Sequence, residues 1–292
     1  EYAKINERYL DKRPHVGMEF FSDLIEMGAF YVDKTAFIKE WWEDPAKITL
    51  ITRPRRFGKT MNLSMLECFF SNAFEGRSDL FEGLQIWEYP YYRRLQGTCI
   101  LISVSFSGIK DSNPDAIFKA ICSSIAVIYA QHAYLCNSEQ LSDKDKELFS
   151  LTLKSLSEKI YSEEVYRSLK TLTYLLCKHY KRKVLLLIDE YDTPMIESFT
   201  RQCFDEVIVM MKKIFHYSFK DNPYLEKGLI TGITRIAKES LFSDLNNLIA
   251  NTTTTKQYET CFGFTEKEVF DALEAQNMGS DDNKRLIKEW YD

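Results

Sequence analysis

The chain contains no Cys-x-x-Cys pair, although it carries seven cysteines, at positions 68, 99, 122, 136, 177, 203 and 261. An odd, scattered set excludes a disulfide framework or a zinc cluster as the organising device and points to a reducing compartment, the cytoplasm. Cys99, Cys122 and Cys177 fall inside apolar stretches and read as small core filler. The four histidines, at 15, 132, 179 and 216, are too dispersed for a metal site or a catalytic dyad. No apolar run approaches the roughly 18–20 residues of a membrane span. The first residues, EYAKINERYLDKRPH, lack the apolar centre of a signal peptide. An excess of one charge is missing too. The 38 Lys and Arg against 43 Asp and Glu leave a net charge of -5, so nothing draws the whole chain to nucleic acid or to an anionic membrane.

What is present is enough apolar material, 45% of 292 residues, for one large domain or a domain with an appendage. Short β-rich runs alternate with long helical patterns: ITLIT (48–52), CILISVSF (99–106), VLLLI (184–188) and GLITGIT (228–234), with YETCF (258–262) as a weaker fifth. That alternation predicts an α/β fold with a parallel sheet and crossover helices, and VLLLI is continuous enough to be buried on both faces. Asn113 before Pro114 predicts a capped helix running to about Leu135. Thr265 with Glu268 forms a capping-box pattern, and Ser142 and Ser162 are candidate caps. NSEQLSDKDKE, just before the Ser142 helix is under way, reads as a mobile polar stretch.

Chemistry concentrates in TRPRRFGKT (52–60), a phosphate-binding loop in which Arg53 stands where the usual first glycine would be. Pro54 has no N–H to give and keeps Arg53 extended, which alters the entry to the loop. The N–H groups that cradle phosphate belong to the later residues, Arg56, Phe57, Gly58, Lys59, Thr60 and Met61, at the turn from a strand into the helix MNLSMLECFF. Lys59 would reach the outer phosphates and the Thr60 hydroxyl would bind magnesium. The second anchor is VLLLIDEYD (184–192), where Asp189 is the candidate magnesium acid and Glu190 the candidate activator of water. In GLITGITRIAKES, Thr231 or Thr234 is a candidate to orient that water and Arg235 to stabilise developing charge. The plainer reading is of strand threonines and a solvated arginine. Arg53, Arg55 and Arg56 form a basic cluster that could meet phosphate, a neighbouring acid or nucleic acid.

FYVDKTAFI (30–38), TRPRRFGKTMNLSML (52–66), LLLIDEYDTP (185–194) and TGITRIAKESLFSDLNNL (231–248) together resemble the bacterial AAA-ATPase-like family of P-loop proteins, in which R-P-R-R-F-G-K is the normal form of the loop. The resemblance implies a P-loop NTPase core with strand order 5-1-4-3-2 over residues 1–264, including an N-terminal extension, and a helical lid beginning at 265–292. It also implies a C-terminal region after a W-Y-D-G-Y motif, often a nuclease-like domain of the PD-(D/E)xK type. This sequence stops at Trp290-Tyr291-Asp292, so such a region is expected to follow it. Asp33 and Lys34 also match the family, either as a cap for TAFIKEWW or packed near an adenine pocket. The expected function is binding and hydrolysis of ATP with Mg2+, coupled to an attached domain or partner, with self-association or DNA contact through the further domain as accompanying expectations. The alternative is a nucleotide-gated switch with negligible hydrolysis.

Overall fold

The continuous apolar runs pair side by side into one parallel sheet of β1 (Ile48–Thr52), β2 (Ile100–Ser105), β3 (Val184–Asp189), β4 (Leu225–Gly232) and β5 (Leu248–Asn251). The computed structural model describes residues 17–291 apart from 112, 200–202, 235–240, 243–244 and 246. Strand order is β2-β3-β4-β1-β5, which from the β5 edge reads 5-1-4-3-2. The element that differs from expectation is the fifth strand. Residues 258–262 form turns, and Leu248–Asn251 takes the edge beside β1. β3 is buried along its whole length, as an unbroken Val/Leu/Ile run between two neighbours requires.

In chain order the helices are α1 (Phe21–Glu26), α2 (Ala36–Glu43), α3 (Lys59–Phe70), α4 (Pro90–Leu95), α5 (Pro114–Gln131), α6 (Asp143–Glu158), α7 (Glu163–Tyr166), α8 (Ser168–Tyr180), α9 (Thr193–Phe199), α10 (Phe204–Phe219), α11 (Glu266–Ala275) and α12 (Asp281–Tyr291). The chain divides into two compact units, one of residues 1–44, 55–98 and 255–292, the other of 45–54 and 99–254. The second, the sheet unit, holds all five strands with α5 to α10. The first, the helical unit, holds the remaining helices.

In the sheet unit, α5 and α8 pack on β2, and α8 also packs on β3. Ile117, Ile121, Leu172 and Leu176 lie in a core continuous with Ile102, Leu186 and Ile188. The caps form where their residue types predicted. The Asn113 side chain accepts from Ala116 N, the Ser162 side chain accepts from Val165 N, and Ser142 with Asp145 closes a capping box. The polar stretch leading into α6 is pinned rather than loose: the Ser138 hydroxyl bonds His179 Nδ1 at 2.7 Å and accepts from Gln140 N at 3.1 Å, and the first turn of the helix is tied to α8. Asp145 accepts from the Tyr174 hydroxyl at 2.7 Å and from Lys178 Nζ at 2.6 Å.

The helical unit has an aromatic core. Phe69 meets Phe70 at 5.0 Å and Phe81 at 5.1 Å, both edge-on, and Phe21 stacks on Phe81 at 5.3 Å. Tyr258 and Phe262 both present edges to Phe37, at 5.3 and 5.1 Å, and the Tyr258 hydroxyl donates to Asp44 Oδ2 at 2.6 Å. The aromatic content that made YETCF look like a strand is therefore spent on this core. Ring pairs of this geometry contribute about 0.5–1.5 kcal/mol each beyond their burial.

Candidate functional site

In the sheet unit the functional candidates gather where β3 and β4 end. Asp189, the last residue of β3, is 4% exposed, and its Oδ1 accepts from Glu190 N at 3.0 Å and from the Thr231 hydroxyl at 2.5 Å. Thr231 thus binds Asp189 directly. A carboxylate with one oxygen committed to fixed donors is oriented before any ligand arrives, and its oxygen chemistry suits a hard cation.

Glu190 leaves the strand with φ of 50°, in the left-handed region, and its Oε2 accepts from the Thr193 hydroxyl at 3.0 Å. Such a conformation costs a non-glycine residue about 1–2 kcal/mol and persists only when its surroundings hold it. Here Tyr191 N donates to Thr231 O at 3.0 Å and Thr193 N to Glu190 O at 3.1 Å, which fixes the turn on both sides.

Thr234 lies two residues past the end of β4, is solvent-exposed, and donates its hydroxyl to Asp192 Oδ2 at 2.9 Å. Asp192 is the residue that sequence reading missed. It is fully buried and also accepts from Ile233 N at 2.8 Å and Thr234 N at 2.7 Å. Its signal was a third acid in IDEYD, which reads as a solvated strand end until its burial is known. Arg235 lies outside the described residues.

Arg53 belongs to the sheet unit and is 4% exposed. Its Nη1 donates to Thr52 O at 2.9 Å and Asn251 O at 3.1 Å, while its N–H continues the β1–β4 ladder to Gly232 O at 3.1 Å. The arginine in place of the first glycine therefore binds the tips of β1 and β5. Arg55 and Arg56 are exposed.

In the helical unit, the loop candidates Arg56, Phe57, Gly58, Lys59, Thr60 and Met61 run into the first turn of α3. Arg56 has φ of 67° and Gly58 φ of 75°. Two left-handed residues so close together curl the backbone ahead of the N-terminus of α3. A Cβ at Gly58 would meet nothing within 4 Å, so glycine is there for its backbone freedom. Phe57 O accepts from Gly263 N at 3.1 Å, and Asn62 Nδ2 donates to Cys261 O at 2.8 Å, so the segment before α11 braces the loop. Lys59 is 6% exposed, and Thr60 and Met61 are partly buried.

Asp33 and Lys34 are bracing residues of the same unit. Asp33 Oδ1 accepts from Thr35 N at 2.8 Å and the Thr35 hydroxyl at 2.6 Å, while its Oδ2 accepts from Gln85 N at 2.7 Å. Burial holds its carboxyl above the usual carboxylate range, although those bonds lower it in part. Lys34 Nζ meets both carboxylate oxygens of Glu268, at 2.6 and 2.8 Å, and Thr260 O at 2.8 Å. Glu268 in turn closes the capping box of α11 with Thr265.

Among the described residues, no group of three or more His, Cys, Asp and Glu side chains is placed to hold a metal by itself. No helix among them is long and apolar enough to cross a membrane. A family model described as "Predicted AAA-ATPase" matches residues 15–242. A protein of Azotobacter chroococcum mcd 1, named "Uncharacterized protein in vnfD 5'region", is 25% identical over 283 residues, 96% of this chain and 48% of its own length. The chain thus spans about half of that relative. With a family model matching more than half of its length, the chain belongs to the AAA-ATPase-like family of predicted AAA-ATPases.

Proposed function

We propose that the chain binds ATP with magnesium and hydrolyses it. The observation that carries this reading is the tip of β3. Asp189 is buried and oriented by Thr231, and Glu190 is turned out of the strand in a left-handed conformation held from both sides. In this reading Lys59 and the N–H groups of residues 56–61 would bind the phosphates, and Thr60 and Asp189 would each be an oxygen donor to magnesium. The ion itself supplies charge neutralisation on the phosphates. Glu190 accepts a proton of the attacking water, whose oxygen forms the new bond to the γ-phosphorus as the bond to the β-phosphate oxygen breaks. The oxygen-only donor set fits magnesium better than zinc or copper. The segment from 265 to 292 acts as the start of a lid, and the greater length of the Azotobacter relative is consistent with an attached region for the hydrolysis to act on.

One observation favours the second reading, a nucleotide-gated switch with little turnover. Glu190 Oε2 already accepts from Thr193, which ties the carboxylate to the first residue of α9. Phosphate release from MgATP, compared between the wild type and Glu190→Gln, tests the proposal. Hydrolysis predicts turnover that falls about 100-fold or more in the variant with ATP affinity kept, whereas a switch shows equal and negligible release from both.

A further inference from the structure

Asp192 stands immediately before α9, and aspartate is a residue type that caps helices. Its carboxylate does something else. The three bonds it makes among the described residues converge on Oδ2 and come from the exit of β4: Ile233 N at 2.8 Å, Thr234 N at 2.7 Å and the Thr234 hydroxyl at 2.9 Å. Oδ1 is buried and has no hydrogen-bond partner among the described residues. It faces Gly232, where an added Cβ would come within 2.7 Å of it and within 2.5 Å of the Tyr191 ring. A glycine at that position is what lets the two strand exits approach so closely. The Tyr191 hydroxyl completes the clasp by donating to Thr234 O at 2.8 Å. The N–H, the carbonyl and the hydroxyl proton of Thr234 are therefore all spoken for by residues 191 and 192, one and two positions beyond Glu190.

This has a chemical consequence. A hydroxyl has one proton to give, and Thr234 gives it to a carboxylate, so Oγ1 faces any other partner as an acceptor only. On this exposed residue, what Oγ1 keeps for a further partner is a lone pair. It can accept a proton of a water molecule but cannot donate to a phosphate oxygen.

We propose that Asp192 is a positioning residue for hydrolysis, acting through Thr234, whose hydroxyl it locks as an acceptor that orients the attacking water. The proposal rests on the hydrolytic reading above. It assigns Thr234 contact with the reacting water and Asp192 none.

The test is a double-mutant cycle on ATP turnover by the whole chain, with Asp192→Ala, Thr234→Val and the pair, scored by kcat, KM for MgATP and Tm. Each single change is expected to lower kcat about 10- to 100-fold with KM within about threefold, and the pair to be no slower than the slower single variant. Asp192→Asn can turn its amide oxygen toward the three donors and is expected to restore kcat to within about fivefold. An Asp192→Ala variant that loses only Tm while keeping kcat overturns the proposal, as do losses that multiply in the pair. Should Asp192→Ala fail to fold, Thr234→Val and Thr234→Ser decide. Valine is expected to be slow and serine near wild type, and equal wild-type rates from both overturn the role. A wild-type chain that binds MgATP without turning it over contradicts the hydrolytic reading and this role together, whereas wild-type turnover untouched by Asp192→Ala overturns the role alone.

Discussion

The Thr231 hydroxyl donates to Asp189 Oδ1 at 2.5 Å, joining the tip of β4 to the tip of β3 at the acid proposed to hold magnesium. Both residues are buried, so the bond is shielded from competing water and orients the carboxylate before a ligand arrives. Thr231→Val keeps the shape and β-branching but removes the donor. A loss of about 1–2 kcal/mol in stability and a higher magnesium concentration for half-maximal ATP turnover are expected, with the lysine-dependent ATP affinity little changed. Magnesium titration of phosphate release measures this, and an unaltered magnesium requirement would remove Thr231 from the site.

Glu190 sets function against stability. Its φ of 50° is one that glycine adopts without cost. Glu190→Gly is expected to raise stability by about 0.5–1 kcal/mol while lowering turnover about 100-fold. Urea denaturation alongside a phosphate-release assay separates the two effects, and a destabilised glycine variant would mean that the side chain's bond to Thr193 outweighs the backbone strain.

Much of this was legible in the residues, for reasons that differ between elements. β1 and β3 were readable because a buried parallel strand must be an unbroken apolar run, and ITLIT and VLLLI are bounded sharply by charge or proline. The caps at Asn113, Ser142, Ser162 and Thr265 were readable because capping is local, set within four residues. β5 was not, since Leu248–Asn251 is four residues long with one side chain exposed, and too short a run to distinguish from a loop. Asp189 and Glu190 stood out by position at a strand end. Asp192 did not, because its importance lies in burial against Ile233 and Thr234, some forty positions away in sequence. The same holds for Lys34 and Glu268, whose pairing spans most of the chain.

The Lys34–Glu268 pair is buried on both sides, with side chains 8% and 1% exposed. Removing one partner strands the other charge, so Lys34→Met is expected to cost about 3–5 kcal/mol. Lys34→Met combined with Glu268→Gln keeps an acceptor for Thr265 N without the orphaned charge and is expected to be more stable than Lys34→Met alone. Chemical denaturation of Lys34→Met, Glu268→Gln and the double variant checks this ordering, and a double variant as unstable as the sum of its singles would contradict it.

Asp145 predicts part of the acid sensitivity. Burial pushes its carboxyl up, but hydrogen bonds from Lys178, Ser142 and Tyr174 outweigh that and hold it well below the usual carboxylate range. A carboxyl depressed in the folded state contributes stability fully above its unfolded value, about 3.9, and loses it as pH falls from there toward the folded value. Asp145→Asn is therefore expected to lower stability at neutral pH by about 1–3 kcal/mol and to flatten the fall in stability below pH about 4. Thermal unfolding followed from pH about 7 to about 2 tests both, and an acid limb as steep in the variant as in the wild type would contradict the assignment.

The most direct measurement is isothermal calorimetry of MgATP against the wild-type chain and Lys59→Ala. Saturable heat is expected from the wild type with a Kd in the micromolar range, about 1–100 μM, weakened at least tenfold by the alanine. No heat of association from the wild type in magnesium buffer, or the same affinity in both proteins, would contradict that expectation.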